Sequence, residues 1–151
     1  MAPLRLRIED PQDLAVASAH LQDAVTAVGD FAYEKKRRRF AGVFNRFRWE
    51  AEGGVKLGPK RHSRIRTGVH FDDVMAVRSQ NIRLDAKEAV VELLAVRFEA
   101  SAGEEDPSGT ITLDFAGGGT IALDVECIEG HLTDIGQPWE TTSKPEHDID
   151  A

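Results

Sequence analysis

The stretch FAYEKKRRRFAGVFNRFRWE, residues 31–50, decides how the chain is read. Five consecutive cations, Lys35 to Arg39, separate two runs that alternate as extended backbone does. Alternation on both sides of a charged break is the pattern of two strands joined at a tip. Residues 31–34 are therefore expected to pair with 40–50. On the second arm Ala41, Val43, Asn45, Phe47 and Trp49 share one face, and Phe40, Phe44, Arg46 and Arg48 share the other. Turning the arginines outward makes the Phe47 and Trp49 face the expected core.

Upstream, LRLRIE at 4–9 alternates and reads as a strand. Asp10 then suits a helix N-cap and Pro11 a first helical position, where no amide donor is missed. Leu14, Ala17, Leu21, Ala24 and Val25 recur at helical spacing, which predicts a helix from 11 to about 24. A short β-rich stretch, 25–28, closes it.

Downstream, GGVKLGPKRH at 53–62 reads as a long flexible loop. In RIRTGVHF at 64–71, Ile65, Thr67, Val69 and Phe71 share one face, and Arg64, Arg66 and His70 the other. VMAV at 74–77 and VVELLAVRF at 90–98 are further strands. TITLDFAGGGTIALDV at 110–125 is a hairpin whose glycines, 117 to 119, supply its turn. ECIEGHLTDIG at 126–136 reads as one short helix, with Ile128, Leu132 and Ile135 on one side and Gly136 as its stop.

These elements make an α+β fold: one globular domain over 1–140 and a flexible acidic tail over 141–151. The domain is expected to be a curved antiparallel sheet or partly closed barrel of about seven strands, with one N-terminal and one short C-terminal helix. A last hairpin followed by a helix also resembles the ending of pleckstrin-homology-like barrels.

A chain of 151 residues is one domain on size. Its start has no apolar leader, no apolar run nears the ~20 residues a membrane helix needs, and Cys127 is its single cysteine. A cytoplasmic protein with no membrane association is expected. The net charge of −7 is unevenly spread. Residues 31–70 hold twelve Lys/Arg against three Asp/Glu, and residues 84–151 hold three against sixteen. Such segregation suits a charged partner or strands that neutralise one another.

Lys35, Lys36, Arg37, Arg38, Arg39, Phe44, Arg46, Arg48, Arg64, Arg66 and His70 form the candidate binding set. Arginines interleaved with aromatics suit phosphates and stacked bases, so a nucleic-acid or phosphate ligand is one reading. RRFAGVF at 38–44 resembles the aromatic motif of RNA-recognition domains. The glycine that motif needs after its first basic residue is Arg38 here, and no βαββαβ frame is present. The preferred reading is a non-enzymatic binding or adaptor domain that takes a protein partner or self-associates. An enzyme is the weakest reading, because there is no nucleophile elbow and no protease signature around Cys127. AGGGT at 116–120 lacks the lysine and following helix of a phosphate loop. His131 and Asp134, with Glu126 and Glu129 nearby, could share a helical face toward a metal, but no second histidine sits at i+4. No cofactor and no metal are expected.

LQDAV (21–25), VGDFAY (28–33), FNRFRWE (44–50), VMAVRS (74–79), FAGGGTIALDVECIE (115–129) and PWETTSKPEH (138–147) together resemble the bacterial family called Domain of Unknown Function 2948. The resemblance spans nearly the whole chain. It implies a small single domain and assigns no catalytic residues.

Overall fold

A computed structural model describes residues 3–49, 62–103 and 105–141. The chain runs β1 (Arg5–Ile8), α1 (Pro11–Leu21), β2 (Val25–Ala27), a 3-10 turn (Val28–Asp30), β3 (Phe31–Glu34), β4 (Arg39–Phe47), β5 (His62–Phe71), β6 (Val74–Gln80), β7 (Val90–Ala100), β8 (Gly109–Phe115), β9 (Thr120–Val125) and β10 (Gly130–Thr141). All observed pairings are antiparallel. The order across the sheet is β1-β10-β5-β4-β2-β7-β8-β9-β6, with β3 also on β4. The sheet does not close into a barrel.

The N-terminal helix forms as its signals require. The Asp10 side chain accepts from the Asp13 amide at 2.8 Å, and Pro11 opens the helix. Leu14, Ala17 and Leu21 are buried against the concave face of the sheet. The tip at 35–38 and the glycine turn between β8 and β9 also fall where the alternation put them.

Two expectations fail. The described residues form ten strands, and the segment expected as a C-terminal helix is none: Gly130–Thr141 is the twelve-residue strand β10. It lies between β1 and β5, pairing Leu132 with both Leu6 and Val69. The pleckstrin-like ending disappears with that helix. Ile128 and Leu132 face inward as the helical spacing required, but Ile135 is exposed. The inward series is in fact Ile128, Gly130, Leu132 and Asp134, a period of two disguised by a carboxylate. Beyond Thr141 the expected tail lies outside the described residues, as does most of the 53–62 loop.

The second failure concerns β4. Its core face carries Phe40, Gly42, Phe44 and Arg46, all buried. Phe31 reaches over this face from β3 and packs on Phe40, Phe44 and Phe115 with ring centres 5.7, 5.8 and 6.0 Å away. A side chain at Gly42 would collide with the Phe31 ring, so glycine is what lets that ring cross the strand. Phe47 is buried too, but on the opposite face, against Trp49.

Arg46 has no solvent exposure and forms a two-pronged ion pair with Asp134 of β10. Arg46 Nε donates to Asp134 Oδ1 and a terminal nitrogen to Oδ2, both at 2.9 Å. Thr67 of β5 donates to Oδ1 at 2.8 Å, and the Leu4 amide to Oδ2 at 2.8 Å. Burial alone would raise the Asp134 carboxyl. Arg46, the Leu4 amide and Thr67 outweigh it and hold the group below the ordinary carboxylate range.

A depressed carboxyl gives stability that is fully present above the unfolded value, ~3.9, and lost as pH falls through the folded one. Urea unfolding should therefore show wild-type stability falling as pH drops below about 4, and falling less in Asp134→Asn. Equal acid slopes for the two proteins would show that Asp134 is not held in its charged form.

Candidate functional site

The cationic tip is built by two turn hydrogen bonds, Arg37 N to Glu34 O at 3.1 Å and Arg38 N to Lys35 O at 3.2 Å. Arg38 takes a left-handed conformation, φ +53°, to close the turn. Lys35, Lys36, Arg37 and Arg38 are exposed and Arg39 is half-buried. Arg39 pairs with Asp72 at 2.7 Å and Arg38 with Glu126 at 3.4 Å. Lys35, Lys36 and Arg37 make no ion pair with any described residue.

The acidic half reaches this tip at Arg38, through Glu126, and among the described residues leaves Lys35, Lys36 and Arg37 unmatched. Asp124 is engaged by Arg78 at 2.6 Å and Asp114 by Arg97 at 2.7 Å. Each of these arginines comes from the neighbouring strand, β6 or β7. Cross-strand register therefore satisfies these two acids locally.

The remaining candidates are scattered rather than gathered. Phe44 is in the core and Arg46 is bound to Asp134. Arg48 donates to the Ser63 hydroxyl at 2.9 Å. Arg64 is buried, lies 6.0 Å from the centre of the Phe47 ring, and donates to the Asn45 carbonyl at 3.2 Å. Arg66 is exposed on the outer face of β5. The set thus never forms one exposed surface of arginines and rings.

His70 stands on that outer face opposite His131 of β10, its register partner. Nδ1 of His131 lies 3.3 Å from Nε2 of His70. Burial, followed by Arg39, holds His70 below the ordinary imidazole range against the pull of Asp72. His131 and Asp134, expected on one helical face, point to opposite sides of a strand. Among the described residues no three His, Cys, Asp or Glu side chains are gathered so as to hold a metal ion.

A cleft of about 350 Å³ opens at the N-terminus of α1, lined by Pro11, Phe98, Pro107, Cys127 and Ile128 among others. Its Asp10 and Asp106 carboxylates are already engaged, by the amides of Asp13 and Ser108. The Cys127 thiol is pushed up by burial and by Asp73, 3.4 Å away, which keeps it protonated and a poor nucleophile at neutral pH. Asp134, Thr67 and the histidine pair were not found from sequence as partners. Reading β10 as a strand is the signal that would have joined them.

Residues 4–147 match the family described as Protein of unknown function (DUF2948). No curated protein and no solved structure matches the chain. No described helix is long and apolar enough to cross a membrane.

The tip and the core should respond oppositely to substitution. Changing Lys35 and Lys36 together to Gln should move the unfolding free energy by less than about 0.5 kcal/mol. Phe44→Ala should cost about 3–5 kcal/mol, because its ring is buried among other rings. Denaturant titration checks both. A large loss from the lysine pair would mean the tip serves the fold.

Proposed function

This chain belongs to the DUF2948 family, and we propose that it is a non-enzymatic binding domain that receives an acidic protein partner on the β3–β4 tip. The observation that carries this reading is the charge of Lys35, Lys36 and Arg37, exposed at the tip and in no ion pair with a described residue. An exposed cation cluster contributes little to stability, and its natural use is steering and orienting an oppositely charged surface. The tip projects from a rigid hairpin, so its charges are held in place before a partner arrives.

The nucleic-acid alternative has less support. It needs rings and guanidiniums side by side in solvent, whereas Phe44, Arg46 and Arg64 are buried. A cytoplasmic location is part of the proposal.

The test is an affinity capture from native lysate with wild-type protein and a K35Q/K36Q/R37Q variant. The proposal expects acidic proteins retained by the wild type, released as salt rises from about 50 to 200 mM, and lost in the variant. Equal capture by both proteins, or capture abolished by nuclease, would overturn it.

A further inference from the structure

His70 and His131 are separated by sixty residues of chain and brought face to face by the β5–β10 register. Their facing nitrogens are 3.3 Å apart, their ring centres 5.0 Å apart, and their planes inclined by 35°. A straight hydrogen bond between imidazoles at that nitrogen separation would put the ring centres about 5.6 Å apart. Two imidazole nitrogens bound at 2.0–2.1 Å to one tetrahedral ion lie about 3.3 Å apart, with ring centres about 5.2 Å apart. The observed ring-centre spacing is nearer that of the second arrangement, and the same nitrogen separation also allows a bent hydrogen bond between the rings.

A carboxylate stands beside the pair. Asp72 Oδ2 is 3.7 Å from His70 Nε2, while its Oδ1 is held by Arg39 at 2.7 Å. That outer contact orients the carboxylate and leaves the other oxygen toward the histidines. Glu129 lies on the same side, near Arg7 at 3.8 Å. The His70 and Asp72 side chains keep 28% and 25% of their surface, so water can complete the coordination.

We propose that His70 and His131 form an open two-histidine site for a borderline divalent transition-metal ion such as Zn²⁺, Ni²⁺ or Cu²⁺, with Asp72 as the nearest carboxylate. Imidazole ligands select these ions over Mg²⁺ and Ca²⁺, which demand oxygen. A bound ion would strap β5 to β10 on the outer face, opposite the buried Arg46–Asp134 pair. The fold does not depend on it, since the strands are already joined through the backbone. The site is independent of the tip and of any protein partner.

The probes are ZnCl2, NiCl2 and CuCl2 at pH 7.5, added to chelator-treated full-length protein and read by calorimetry, with MgCl2 as control. One ion should bind per chain, and His70→Gln or His131→Gln should each weaken binding at least about 10-fold, the scale of disturbing a metal ligand. A variant with His62 and His147 changed to Gln should keep the affinity. Copper electron-spin resonance of that same variant gives a readout that needs no change at the pair, and two coordinated nitrogens are expected. Affinity unchanged in both single variants, equal binding of Mg²⁺, or a one-nitrogen copper spectrum would overturn the proposal.

Discussion

A guanidinium and a carboxylate, both withdrawn from water, hold the sheet in register. Arg46 on β4 and Asp134 on β10 meet across the intervening β5, whose Thr67 adds a hydroxyl. The chain entering β1 adds the Leu4 amide. An unpaired charge at that depth would cost several kcal/mol, so any alternative register that parts the two ions is strongly penalised. A slip of one residue would also turn every side chain of a strand to the other face. The pair therefore specifies an arrangement more than it adds net stability. Its inward position forces Phe40, Gly42 and Phe44 inward along the same strand.

That inward commitment shapes the surface. With Arg46 and Arg64 buried, the exposed cations among the described residues of the basic segment are those of the tip and Arg66. In the second half Asp124 and Asp114 are matched by Arg78 and Arg97 on adjoining strands. The same register that seats Asp134 inward sends His131 outward to meet His70. Buried ion pair and exposed histidine pair are two faces of one strand pairing.

Much of the fold was legible because ordinary rules applied. Asp10 and Pro11 marked the helix start, and the alternation of β4, β5, β8 and β9 marked strands. Two readings failed for one reason. Arg46 on an inward position made the Phe44 face of β4 look solvated, and Asp134 on an inward position broke the alternation of β10. Each charge looks misplaced until the other is known, and that partner is 88 residues away. Single-sequence patterning has no means of seeing such compensation. The site suffered the same loss: with 126–136 read as a helix, His131 had no cross-strand neighbour, so His70 stood alone.

The central claim is that Arg46 and Asp134 act as one unit, and a double-mutant cycle measures this directly. Unfolding free energies are needed for wild type, Arg46→Met, Asp134→Leu and the double variant. Each single change should cost about 3–5 kcal/mol, because it strands a buried charge. The double variant should be much less destabilised than the sum of the two, with a coupling of about 2–3 kcal/mol. Additive losses with no coupling would contradict the account, since each side chain would then contribute to the fold on its own.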